Sequence, residues 1–213
     1  MIQTVGINKA ITNLYEAQQK FGLTPTTDSH FFTEWLEEFP ELSSTKKQVL
    51  DRLKNRYRYY EADGAITEGT VNFIMVSPLL ELLGLCDPPF KIRSEKFVQV
   101  EIENGDRILR GLIDVLVVQD QLWLVLIESK RYGFSVMQAL PQTLAYLMGS
   151  NSQQPVFGLI TTGEDFLFVK LDSQQKQYDL SDKFTLSTRR DNQLYTVVQI
   201  IKRLLGMGTP TIA

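Results

Sequence analysis

The stretch RGLIDVLVVQDQLWLVLIESK, residues 110–130, decides how the chain folds. Residues 108–118 and 122–127 are rich in β-branched and apolar side chains, with the polar break Gln119-Asp120-Gln121 between them. The two runs predict a hairpin. Symmetric pairing about Gln121 sets Asp114 opposite Glu128, where Cβ atoms would stand ~4.5–5.5 Å apart. Like charges so placed repel, and their neighbours are Leu112, Ile113, Val115, Leu126 and Ile127. Two carboxylates in such surroundings need a counter-charge, and a hard divalent cation that takes oxygen ligands supplies one. Glu128 and Lys130 share a strand face because side chains alternate. The E-x-K triplet by itself is common at solvated strand ends. It gains meaning here from the apolar run before it and from Asp114 in the same hairpin.

Upstream, the apolar spacing changes to three and four and predicts helices. One covers 7–21 and stops at Gly22. A second, capped by Asp28 or Ser29, carries Phe31, Phe32, Trp35 and Leu36 as far as Pro40. A third runs from Ser43 or Ser44 to about Tyr60, and a fourth covers 67–83 with Pro78 kinking it. Downstream come a helix over 135–148, strands over 155–161 and 166–171 around the turn Thr162-Gly163-Glu164-Asp165, and an amphipathic helix over 192–205. The expected fold class is α/β, a mixed sheet flanked by helices. The expected division is a helical N-terminal extension over 1–62 and one α/β domain over 63–213.

Composition narrows the chemistry. The chain has 213 residues, with one Cys (Cys86) and one His (His30), so a cysteine-cluster zinc site and a two-histidine metal site are both excluded. Cys86 follows an apolar helix and is expected to be buried. The net charge of −3 does not announce a nucleic-acid binder, so such a role would need a local basic patch. Residues 46–60 offer one: Lys46, Lys47, Arg52, Lys54, Arg56 and Arg58 face a single acid, Asp51, with Tyr57, Tyr59 and Tyr60 interleaved. The helix could follow a phosphate backbone with its rings stacking on bases. It could equally be a solvated face with the tyrosines packed beneath. Arg110 would add charge near the sheet. No apolar run reaches the ~18–20 residues of a membrane span, and no signal-peptide core is present, so a cytoplasmic location is expected.

Two further groups carry candidate chemistry. Gln142 and Tyr146 are four apart on the predicted helix, with Gln138 a turn earlier. They read first as a polar solvent face, while Leu140, Leu144 and Leu147 form the core stripe. Pro141 fits only if the helix starts late or bends. Glu68 heads the stripe Val71, Met75, Leu79, Leu82. It can favour the helix N-terminus electrostatically or lean toward the paired carboxylates.

In this order, Glu68, Asp114, Glu128-Ser129-Lys130 and Gln142-x-x-x-Tyr146 resemble the PD-(D/E)xK nuclease superfamily. Within it, the chain is most similar to the N-terminal nuclease domain of type I restriction enzyme R subunits. The likeness covers about 68–171 and includes Pro78-Leu-Leu-Glu-Leu-Leu-Gly84, Arg110-Gly-Leu-Ile-Asp114 and Leu159-Ile-Thr-Thr-Gly-Glu-Asp-Phe166. Ile113 stands where the superfamily motif has Pro. No G-x-x-x-x-G-K-[ST] loop occurs, so the expectation is a stand-alone domain without the motor of an R subunit.

The resemblance implies a restriction-endonuclease-like fold and metal-assisted hydrolysis of DNA phosphodiesters. Asp114, Glu128 and the Ser129 carbonyl would hold Mg²⁺ or Mn²⁺, and Glu68 would complete the shell. Lys130 would position or deprotonate the attacking water. Gln142 and Tyr146 would organise the site. DNA is the implied partner, with a homodimer to cut both strands and a separate targeting or motor subunit as further candidates. Two other readings compete: a non-catalytic nucleic-acid- or protein-binding module on the same fold, and a structural α/β protein with coincidental motifs.

Overall fold

In the computed structural model the chain begins with strand β1 (Gln3–Gly6), helices α1 (Ile7–Ala10) and α2 (Leu14–Phe21), and strand β2 (Thr24–Pro25). Helices α3 (Ser44–Glu61), α4 (Glu68–Val71) and α5 (Ser77–Leu82) follow. Five strands come next: β3 (Ile92–Arg93), β4 (Phe97–Glu101), β5 (Arg107–Leu112), β6 (Val115–Val118) and β7 (Leu122–Leu126). Helix α6 (Leu140–Met148), strands β8 (Val156–Thr161), β9 (Asp165–Asp172) and β10 (Gln177–Thr185), and helix α7 (Leu194–Leu204) complete the order. The structure describes residues 3–36, 38–93, 97–101, 107–112, 115–118, 122–126, 135–150 and 152–206; for 97–126 it describes the backbone alone. The chain is mixed α/β, as its sequence implies.

Among the described residues the larger sheet has the order β2-β10-β9-β8-β7-β6-β3, and a smaller one has β1-β5-β4. β7 and β8 pair in parallel, with α6 as the crossover between them. β8, β9 and β10 pair antiparallel. These central strands are apolar on both faces. Phe166 and Phe168 of β9 enter a core shared with α3, α4, α5 and α7, while Leu167, Val169 and Leu171 enter a second core shared with α1, α2 and α6. The result is a sheet covered by helices on both sides.

β10 was not legible as a strand. Its pairing with β9 shifts between Leu180 and Lys183. Tyr178 faces the second core before the bulge, and Phe184 faces the first core after it. A one-residue shift moves the following side chains to the opposite face and erases the alternation that sequence reading depends on.

The N-terminal third departs from the expected helical extension. β1 joins β5 and β2 joins β10, both in parallel, so the segment is woven into both sheets. The predicted 7–21 helix breaks at 11–13, where the Asn13 side chain accepts from Glu16 N at 2.9 Å and starts α2 afresh. The predicted helix through Phe31 and Trp35 does not form. Asp28 takes the His30 N–H on its side chain and the Phe31 N–H on its carbonyl, a turn that competes with helix. Phe31 and Phe32 lie instead against the Lys170 ammonium, which also pairs with Glu34 at 2.5 Å.

The helix runs on through Pro78, but its α-helical pattern is interrupted just before it. A π-helical turn over Asn72–Val76 precedes it, and Pro78 falls in the first turn of α5. Pro78 has no N–H for the Ile74 carbonyl, which accepts from Arg56 Nη1 at 3.3 Å. Cys86 is exposed, contrary to expectation, because it sits in the turn beyond buried Leu85.

Gly163, in the turn after β8, has φ +85°, and a Cβ there would stand 2.8 Å from both Tyr57 Cε2 and Val71 Cγ1. Gly84 also has positive φ (+73°) but open space around it. Gly84→Ala should cost about 1 kcal/mol from backbone strain alone, and Gly163→Ala about 2 kcal/mol more from the clash. Urea unfolding of both variants checks this; equal losses would mean that the close approach contributes nothing.

Candidate active site

The hairpin register differs from the expected one. Val115 pairs with Val125 and Val118 with Leu122, so the hairpin centres on residue 120 rather than 121. The expected register would have set Val115 against Ile127. An even offset keeps each strand residue on its predicted face and changes only its partner. The closure pairs Leu122–Val125 with Val115–Val118, and Leu126 pairs with β8. Asp114, Glu128, Ser129 and Lys130 lie outside the described residues. Arg110 lies in β5, opposite Gln99, and its side chain is not among those described.

Leu126, the last residue of β7, pairs with Thr161, the last residue of β8. The turn beyond Thr161 is tied by its own hydroxyls: Gly163 N donates to Thr161 Oγ1 at 2.9 Å and Asp165 N to Thr162 Oγ1 at 3.1 Å. Val71 and Tyr57 close on Gly163, so α4 and the carboxyl end of α3 both reach this edge of the sheet. Glu68, one turn before Val71, opens α4 behind the N-cap Thr67 and is half-buried. The ends of parallel β7 and β8 thus meet α4 where α/β folds place ligands, at the carboxyl ends of parallel strands.

Helix α6 begins at Leu140 with Pro141 in its first turn, following a 3₁₀ turn over Val136–Ala139, which resolves the awkward proline. Leu140, Leu144 and Leu147 are buried, as expected. The expected polar face is not a solvent face. Gln138 is exposed and Gln142 half-buried, but Tyr146 is only 4% exposed and belongs to the second core. That core closes around α6 with residues of α2 on one side and of β8 and β9 on the other.

The basic helix turns much of its charge inward. Lys54 is buried and donates to the Thr188 and Asp191 carbonyls, both at 2.6 Å. Arg58 donates to the Leu186 and Thr188 carbonyls, both at 3.2 Å, and Arg56 holds Ile74. Burial, then the nearby Arg58, pulls the Lys54 pKa down, while Asp191 and Asp51 oppose this. Lys47 pairs with Glu41 at 2.5 Å. Arg52 is exposed and Lys46 half-buried. Lys54 and Arg56 therefore act as internal clamps, while Arg58 holds its two carbonyls from an exposed position. The helix period alone could not reveal this, since the carbonyls they hold come from 74 and 186–191. Tyr57 is buried and Tyr59 exposed, so only part of the aromatic interleaving faces out.

An acidic group at the β8 turn was missed as a unit. Glu164 has its pKa raised by burial first, then by Glu61 and Asp165, with Lys183 opposing. The Tyr57 hydroxyl is pushed up by burial, then by the same acids. The only signal in the sequence was the turn Thr-Thr-Gly-Glu-Asp; Glu61 comes from a distant helix. Among the described residues no group of three His, Cys, Asp or Glu side chains could hold a metal ion, and no helix is long and apolar enough to cross a membrane.

Two measurements follow. Lys54→Met keeps the apolar stem but abandons buried carbonyls, and should cost about 2 kcal/mol in urea unfolding, whereas Arg52→Ala should stay within about 0.5 kcal/mol. For Glu164, folding raises the pKa above its unfolded value of 4.5. The penalty is absent below that value, and stability is lost as pH rises through the folded pKa. Glu164→Gln should therefore raise the melting temperature near neutral pH and not in acid below the unfolded pKa. A variant no more stable than the parent at neutral pH would show that the buried charge costs nothing.

No protein-family model matches the chain, and no curated protein matches it.

Proposed function

We propose that this chain is a metal-dependent DNA endonuclease with a restriction-endonuclease-like fold, hydrolysing phosphodiester bonds at Asp114, Glu128, Lys130 and Glu68. The observation that carries this reading is the edge where β7, β8 and α4 meet. β7 ends at Leu126, two residues short of Glu128, and α4 brings Glu68 to the same edge through the contact of Val71 with Gly163. A parallel β7-α6-β8 unit with acidic residues at its carboxyl end suits a phosphate-cleaving site.

The donor set consists of the carboxylates of Asp114, Glu128 and Glu68 and the Ser129 carbonyl. All are oxygens, which fits Mg²⁺ or Mn²⁺. When bound, the ion would offset charge developing on the phosphate. Lys130 would hold the attacking water and take its proton. Gln142, half-buried early in α6, would orient the site, and buried Tyr146 would fix the helix and so act as a positioning residue. Cutting both strands would call for two sites and hence a homodimer.

A second reading is favoured by the use of Lys54, Arg56 and Arg58 as holders of backbone carbonyls. With fewer cations on α3 free for phosphates, the domain would depend on a targeting or motor subunit to reach DNA, or would serve as a binding module without turnover.

Supercoiled plasmid incubated with Mg²⁺ or Mn²⁺ should be nicked or linearised by the parent chain. Asp114→Ala and Lys130→Ala should each lower the rate about 100-fold or more. Metal binding that needs Asp114, with no cleavage of plasmid or single-stranded DNA, would replace the nuclease by the binding module. Absence of metal binding as well would make the carboxylate constellation a coincidence.

A further inference from the structure

Three aromatic rings stand out of the surface where α3 passes the π-helical turn. Tyr59 is 73% exposed, Tyr60 42% and Phe73 82%. Arg52, Arg56 and Tyr60 recur at a spacing of four and share one flank of α3, with Tyr59 beside them. Arg56 ties this flank to the turn by donating to the carbonyl of Ile74, the residue after Phe73. Ile74, Met75 and Val76 are buried, so Phe73 is the one apolar residue of the turn that faces solvent. Such π-helical turns are rare and recur at functional sites. Tyr59 and Tyr60 meet edge to face, with centroids 5.8 Å apart and planes at 82°, so they do not cover one another as a stacked pair would.

The flank is cationic. The acids of α3 are Asp51 and Glu61, and both are used on other sides of the helix. Asp51 accepts from Tyr195 and Asn192, and Glu61 lines a hollow with Tyr57 and Glu164. Asp63 follows the end of the helix and is exposed to water. Arg52 is exposed, and Arg56 donates to Ile74 from a guanidinium that carries five N–H donors. Open rings interleaved with cations hold unpaired bases, because every base has a π-face and its phosphate needs a counter-charge. In a duplex those faces are hidden in the stack. The rings also adjoin the candidate catalytic edge. Tyr57 and Val71 close on Gly163; Tyr60 is three residues beyond Tyr57, about 4.5 Å along the helix, and Phe73 two beyond Val71.

We propose that Tyr59, Tyr60 and Phe73, with Arg52 and Arg56, form a stacking platform for unpaired DNA, so that the strand led to the catalytic edge is single. The choice of DNA as ligand rests on the nuclease reading, whereas the platform is tested by binding without cleavage.

Fluorescence anisotropy of the full chain in EDTA, where metal-dependent cleavage cannot run, compares three labelled ligands of about 15 nucleotides. They are oligo-deoxythymidine, an abasic strand with the same phosphates, and a duplex. The thymidine strand should bind at least about tenfold tighter than the abasic one. Phe73→Ala and Tyr59→Ala should each weaken it at least about fivefold and leave the abasic strand and the melting temperature unchanged, because both rings are exposed. Arg52→Ala should weaken both single strands alike and flatten their salt dependence. Leu36→Ala, exposed but outside the platform, should bind as the parent does. Equal affinity for the thymidine and abasic strands, tighter binding of the duplex, or undiminished binding by Phe73→Ala and Tyr59→Ala would overturn the proposal. So would self-association of the parent that Phe73→Ala abolishes, which would give the surface to a second copy of the chain. The expected binding pattern without any cleavage in Mg²⁺ or Mn²⁺ would uphold the platform and remove the nuclease alone.

Discussion

The two apolar faces of the central strands impose the architecture. β9 alternates Phe166 and Phe168 into one core with Leu167, Val169 and Leu171 into the other, and all five are at most 3% exposed. Burying each such side chain is worth about 1.5–3 kcal/mol, so neither face can be left wet. The helices answer that demand from both sides: α3, α5 and α7 on one, α1, α2 and α6 on the other. The bulge in β10 lets a single strand serve both cores, with Tyr178 before it and Phe184 after it. Even the N-terminal residues are recruited, because Ile7, Ile11, Ala17 and Phe21 fill the core beneath α6.

A second constraint comes from backbone carbonyls that secondary structure leaves for side chains to hold. Pro78 cannot serve Ile74, and the segment 186–191 runs outside any helix or strand. The cations of α3 answer these carbonyls: Arg56 on Ile74, Lys54 on Thr188 and Asp191, Arg58 on Leu186 and Thr188. A buried ammonium is costly unless fully engaged, and the two short bonds of Lys54 meet that cost. Asp51 extends the link from the same helix, accepting from Tyr195 Oη at 2.7 Å and from Asn192 Nδ2 at 3.0 Å. Burial and this bond push the Tyr195 hydroxyl up to about 12. What resembles a DNA-binding charge run in one dimension is, in three, largely a clamp between α3 and the start of α7.

The candidate catalytic edge depends on both constraints. The parallel pairing of β7 with β8 brings two strand ends together, and Gly163 lets α4 and α3 approach them closely enough to exclude a methyl group. The clamp fixes α3, and α3 presents Tyr57 to that turn. The positions of Glu68 and of the carboxyl end of β7 are therefore consequences of core packing.

Periodicity and punctuation by themselves determined β4, β7, β8 and β9, the amphipathic α7, the stop at Gly22 and a cap at Ser43 or Ser44, and they left Pro141 to fit either a late start or a bend in α6. These are local properties, set by side-chain spacing and by which residues can donate or adopt a given φ. Tertiary structure alone decided the rest. Strands β1 and β2 exist because β5 and β10 offer them edges, and β10 hides its alternation behind a bulge. The 28–36 segment gives up its helix for Asp28 turns and a seat for two Phe rings on Lys170. The hairpin register was set by tertiary pairing: Val118 closes on Leu122, two residues earlier on the second strand than symmetry about Gln121 implies. Lys54, Arg56 and Arg58 are engaged by carbonyls that lie far away in sequence, and contacts between distant residues leave no trace in the spacing of near ones.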